Sequence, residues 1–134
     1  MVPFSWSVHN EVFLPEIDAE HRALFQGGQE LQRLLAAEAP VERIRECLNH
    51  VAQLAESHFQ HEERLMRESQ FVSLDWHIQQ HDHLRRLSKE VDAADMPSLR
   101  AFVEHVGTWL HDHTTVADRI MAAHVRNWSR TFAA

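Results

Sequence analysis

The chain has 134 residues, enough for a single core and too few for two, so one domain spanning 1–134 is expected. Thirteen basic against twenty acidic residues leave a formal charge of -7, which argues against nucleic acid and against an anionic membrane surface as partners. Twelve histidines are the one extreme of the composition, while a lone cysteine, Cys47, excludes an internal disulfide and suits a reducing compartment. The opening MVPFSWSVHNEV has neither the basic nor the apolar region of a secretory signal. No apolar run approaches the roughly 18 residues that span a bilayer, so a cytoplasmic protein with no membrane partner is expected.

Residues 1–16 read as an extended arm, interrupted by Pro3 and Pro15 and anchored by Phe4, Trp6, Val8, Phe13 and Leu14. Asp18 offers an N-cap or first-turn carboxylate to a first helix that runs to about Glu38. Its stripe is Ile17, His21, Leu24, Phe25, Leu31, Leu34 and Leu35. Gly27 and Gly28 interrupt that stripe at about 1 kcal/mol each relative to alanine, which predicts a close helix approach or a local kink. Pro40 opens a second helix through Ile44, Cys47, Leu48, Val51, Leu54, Ala55, His58, Phe59, Glu62 and Met66, and a break is predicted over 69–73. A third helix over 74–93 carries Trp76, His77, His81, Leu84, Leu87 and Val91 on one side. After a turn at 95–97, Pro97 suits the first turn of a fourth helix. That helix shows Leu99, Phe102, Val103, Val106, Trp109, Leu110, His113, Val116, Ala117 and Ile120. Residues 121–134, with Val125, Trp128 and Phe132, keep a helical composition as a continuation or a short capping helix. No strand alternation occurs, and short connections force antiparallel neighbours. The predicted fold is therefore all-α, an up-down-up-down four-helix bundle over 17–120 with an extended N-terminal arm and a short C-terminal helical tail.

Five imidazoles and two carboxylates recur at helical spacing on four separate helices: His21; His58 and Glu62; His77 and His81; His113 and Asp118. Residues four apart share a helix face with Cβ atoms roughly 6 Å apart, so each such pair can reach one metal centre. His113 and Asp118 are five apart, about 140° around an ideal helix, which requires the aspartate to reach sideways and suits a carboxylate that bridges two metals. Four helices pointing one or two donors each into a shared core is how bundles build dinuclear sites. Neutral imidazoles and carboxylates without thiolate favour iron, manganese or zinc. Carboxylate-rich centres push electron density onto iron and favour cleavage of dioxygen, whereas five histidines to two carboxylates favour holding it reversibly.

The segments IDAEH at 17–21, HFQHEERLM at 58–66, HIQQH at 77–81 and WLHDHTTVAD at 109–118 resemble the hemerythrin family, specifically its single-domain bacterial members. The likeness covers nearly the whole chain, with four motifs in order. It implies two iron ions, one held by His77, His81 and His113 and the other by His21 and His58. Glu62 and Asp118 would bridge them together with an oxo or hydroxo group. The two-histidine iron would keep an open position for dioxygen, with Leu110 lining the pocket and Trp109 beside it. Leu14 and Pro15 replace the family's usual glycine-containing turn, Phe71 stands where tyrosine is common, and Thr114 stands where isoleucine is common. Thr114 is expected to admit a water that isoleucine would exclude, and so to hasten autoxidation.

The expected function is reversible dioxygen binding as a carrier, store or sensor, not enzymatic turnover, by a monomer or weak homo-oligomer. The alternatives are a di-iron oxidase, peroxidase or nitric-oxide-handling enzyme on the same residues, and a redox signalling module acting through a protein partner. His61 is a candidate support for the centre, His83, His105 and His111 read as surface residues, and His124 as a cap at the bundle's end. Trp76, Trp109 and Trp128 read chiefly as packing, and Cys47 as a small buried apolar residue.

Overall fold

The computed structural model describes residues 4–132. It contains α1 (Pro15–Ala36), α2 (Val41–Glu68), α3 (Leu74–Glu90) and a long fourth rod. That rod joins α4 (Met96–Asp112), a π-helical turn (His113–Ala117) and α5 (Asp118–Phe132). No strand occurs among the described residues, and α1 packs along α2 and beside α4 while α2 also flanks α3. This is the four-helix bundle expected, and the helical tail runs straight on from the fourth helix. Pro3 and the last two residues of the tail lie outside the described residues, as does the side chain of Phe132. No described helix is long and apolar enough to cross a membrane.

Local chemistry sets the helix ends. α1 begins at Pro15, whose fixed φ fits a first turn. Asp18 is a first-turn acceptor and not the N-cap: its carboxylate takes the N–H groups of Val12 (2.8 Å) and Phe13 (3.1 Å). Phe13 is left-handed (φ 64°), an unfavourable conformation for a side chain with a Cβ, at the turn where the sequence lacks the family's glycine. α1 and α2 close alike, each through a left-handed residue, Glu38 (φ 52°) and Gln70 (φ 57°). Beyond these, Ala39 N–H reaches Leu34 O (3.0 Å) and Phe71 N–H reaches Met66 O (2.9 Å), satisfying carbonyls the helix ends leave open. α3 stops at Glu90, three residues short of the expected end, because Val91 turns extended.

Two apolar regions flank a polar middle. One gathers Leu24, Phe25, Leu31, Leu34, Leu35, Ile44, Leu99, Val103 and Leu110. The other gathers Val12, Ile17, Met66, Met121, Ala122 and Val125. Between them in sequence, each rod contributes buried histidines or carboxylates. The arm seals one side. Phe4 lies so close over Gly28 that a Cβ there would sit 2.2 Å from its ring, and a Cβ on Gly27 would sit 2.8 Å from a Val51 methyl. The glycines thus mark close approaches. Val8 and Phe13, expected as anchors, are 64 % and 56 % exposed, and Val12 is buried instead. Arg119 on α5 holds the arm by donating to His9 O (2.8 Å) and Glu11 O (3.0 Å), and Arg126 donates to Val12 O.

Candidate metal centre

All seven residues singled out by spacing converge in the middle of the bundle, each 5 % exposed or less. Their donor atoms form two overlapping groups: Glu62, His77, His81, His113 and Asp118; and His21, His58, Glu62 and Asp118. The carboxylates belong to both because their two oxygens divide between them. Asp118 Oδ1 lies 3.0 Å from both His77 Nε2 and His113 Nε2, while Oδ2 lies 3.0 Å from His21 Nε2. Glu62 Oε1 lies 3.0 Å from His81 Nε2 and 3.4 Å from His77 Nε2; Oε2 lies 3.1 Å from His58 Nε2 and 3.5 Å from His21 Nε2.

These residues fit a pair of metal ions. Both oxygens of Glu62, Asp118 Oδ2, both nitrogens of His21, His81 Nε2 and His113 Nε2 are buried without a hydrogen-bond partner. So many orphaned polar atoms would be costly in an apolar bundle unless cations satisfied them. A spacing of about 3 Å is also what two donors at right angles show when each is about 2.1 Å from one metal. Electrostatics agree: burial opposes charging, but the facing histidines hold the carboxyls of Glu62 and Asp118 well below the usual range. In the absence of metal, protons take the cations' place. Burial works against charging His58 and His77, yet Glu62 beside His58 and Asp118 beside His77 push their pKa values up to about 10 and about 9.

The π turn explains how His113 and Asp118 cooperate. Asp118 N–H bonds to His113 O, five residues back, so the two sit one wide turn apart on the same side. The sideways reach expected of the aspartate is therefore unnecessary. The hydroxyls of Thr114 (3.1 Å) and Thr115 (2.8 Å) take up His111 O where the helix widens. The same turn shifts the helix by one residue relative to the core. Val116 and Ile120, expected inside, are 58 % and 59 % exposed, and Met121 and Ala122 are buried instead, while Ala117 and Asp118 face inward as expected.

Around the histidines stands a ring of supports that the sequence did not announce. Glu20 accepts at 2.6 Å from Nδ1 of both His58 and His61, so His61 is tied to the centre through Glu20. Glu63 accepts from His81 Nδ1 (2.8 Å) and is itself held by Arg85 (2.9 Å), which also bonds Glu56 and Asp82. The signal available was HEE at 61–63: with Glu62 facing inward, a neighbour one position on lies at the rim of the same face. Phe59 stacks on His81 (centroids 4.1 Å, 14°) and Trp109 on His113 (4.3 Å, 11°).

Of the expected pocket residues, Leu110 is buried and, with Leu24 and Phe59, borders a mainly apolar cavity of about 320 Å³ whose lining also includes Arg45, Asn49, Ser88 and Asp92. Trp109 lies flat on His113 of the three-histidine group. Thr114 is fully buried, and its hydroxyl accepts from Asn10 Nδ2 (3.2 Å) while donating to His111 O. That hydroxyl thus joins the arm to the π turn, with its one proton committed to His111 O. Trp76 is half exposed, and His124 donates to Ser69 O (2.8 Å), bracing the end of α2.

The Hemerythrin HHE cation binding domain family model matches residues 12–125. A myohemerythrin of Theromyzon tessulatum is 29% identical over 116 residues, covering 87% of this chain and 88% of the relative. A bacteriohemerythrin of Clostridium acetobutylicum is 27% identical over 124 residues, covering 87% of this chain and 96% of the relative.

Proposed function

The chain belongs to the hemerythrin family, and from that premise we propose that it holds two iron ions between its helices and binds dioxygen there reversibly, as a carrier, store or sensor. The observation that carries this reading is the division of each carboxylate's oxygens between a three-histidine and a two-histidine group. His77, His81 and His113 would hold one iron and His21 and His58 the other, with Glu62 and Asp118 shared between them. Bound in the ferrous state, such a pair would supply the two electrons that dioxygen binding draws on. The protein's part is to fix and shelter it. Glu20 and Glu63 accept the Nδ1–H of His58 and His81, which aims each Nε2 lone pair at the centre. The stacked rings of Phe59 and Trp109 keep water from His81 and His113. Leu24, Phe59 and Leu110 give the cavity mostly apolar walls, which a small neutral gas can enter. Five histidines against two carboxylates favour binding over turnover. The test is an optical cycle: anaerobic ferrous loading, air, then argon. A band that comes and goes through repeated cycles is expected. A band that bleaches in one exposure and does not return would overturn reversible binding in favour of oxidase or peroxidase chemistry.

A further inference from the structure

Away from the buried centre, two outward-facing histidines meet across α3 and α4. His83 Nε2 lies 3.3 Å from His105 Nε2, with ring centroids 5.5 Å apart and planes inclined by 65°. Neither ring makes another hydrogen bond or ion pair among the described residues. Without a cation the contact is one N–H···N bond, in which one ring must donate and the other accept. Such a bond competes with water and is worth little at a surface.

The spacing suits a metal better. Two imidazole nitrogens each about 2.05 Å from one ion, at the tetrahedral angle, stand about 3.35 Å apart. The observed 3.3 Å separation already matches that spacing, so a metal asks the rings to reorient their Nε2 lone pairs and not to move apart. The described residues offer no third histidine, cysteine or carboxylate here, since the groups of three or more such donors lie in the buried centre. Water must complete the coordination, which makes the site exchangeable. A purely imidazole donor pair selects zinc, copper or nickel over the oxygen-seeking magnesium and calcium.

We propose that His83 and His105 form a surface site for a divalent late transition-metal ion, separate from the buried centre, that staples α3 to α4. These are the helices that carry His77 and His81 and lead into His113, so an ion at the surface restrains two supports of the three-histidine group. The site stands whatever metal the buried centre carries.

The test uses the intact protein with its resident metals, first counted by elemental analysis. Zinc is then titrated in by calorimetry, and the resident metals are counted again. One additional zinc per chain with no loss of resident metal is expected, together with a rise in melting temperature. His83→Ala and His105→Ala should each weaken that uptake roughly tenfold or more, whereas His111→Ala should leave it unchanged. Imidazole nitrogen resonances of His83 and His105 should shift on zinc addition while those of His50 do not. The proposal fails if the parent takes up no extra zinc, if uptake is matched by loss of resident metal, or if both alanine variants bind as the parent does.

Discussion

Thr114→Val removes one hydroxyl from a fully buried position and keeps the side chain's shape. Two bonds go with it, but they are unequal. His111 O keeps the hydroxyl of Thr115 at 2.8 Å, so nothing is orphaned there. Asn10, 1 % exposed, loses the acceptor for its Nδ2 while its Oδ1 stays engaged with Ser7 N–H (3.0 Å) and Oγ (3.3 Å). A buried donor without a partner costs about 1–3 kcal/mol. In a chain of this length that corresponds to a fall of about 3–12 °C in Tm. Denaturant unfolding of the metal-free protein measures the cost without the masking that bound metal adds. Hydrogen exchange should show the amides of Ser7 and Asn10 losing protection, because this bond joins the arm to the π turn. In an Asn10→Ala background the same substitution should cost less than about 0.5 kcal/mol. If Thr114→Val is as stable as the parent, or its full cost survives in that background, the Asn10 bond is not what Thr114 contributes. Thr114→Ile carries the same penalty plus an extra methyl in a closed site, so it should loosen the arm instead of drying the pocket.

Glu20→Ala should leave the fold intact but lower iron affinity about tenfold to hundredfold in a chelator competition, because His58 loses the acceptor that orients it; an unchanged affinity would show that Glu20 does not hold His58. The metal-free protein should be most stable between about pH 5 and 6.5. His58 and His77 have folded pKa values raised from 6.5 to about 10 and about 9, so their contribution is full below 6.5 and is lost as pH rises through those values. Glu62 and Asp118 lie below their ordinary 4.5 and 3.8, so theirs is present above those values and is lost as pH falls. A denaturation midpoint that climbs from pH 6.5 to 9 would contradict this. Gly28→Ala should destabilise by about 1–3 kcal/mol through collision with Phe4, outweighing about 1 kcal/mol of helix propensity; a thermal melt showing a gain would mean the arm moves away freely.

The bundle was legible because each helix repeats its apolar residues at helical spacing and the chain between helices is short. Four of the seven central residues are legible for the same reason, since the pairs His58/Glu62 and His77/His81, four apart, must share a face; His21, His113 and Asp118 follow from their place in the four-motif order. What the sequence concealed lies where local geometry departs from the ideal helix. The π turn at His113–Ala117 adds a residue to one turn, so a reading at 100° per residue put Val116 and Ile120 inside and set Asp118 askew. Phe13 reads as an anchor of the arm by its type, but the left-handed turn before Pro15 aims it outward. Glu20 and Glu63 do not stand out in the sequence, because nothing in a linear pattern distinguishes a carboxylate facing water from one facing the outer nitrogen of a buried histidine. Thr114 was judged by substitution for isoleucine alone; its partner, Asn10, is 104 positions away.

Mössbauer spectroscopy of protein loaded with enriched iron, combined with an iron count per chain, tests the central claim most directly. Two iron ions per chain are predicted, and in the oxidised protein they should be magnetically coupled into a diamagnetic pair, since Glu62 and Asp118 each offer one oxygen to either group. One iron per chain, or two ferric ions with independent magnetic signatures, would contradict the account.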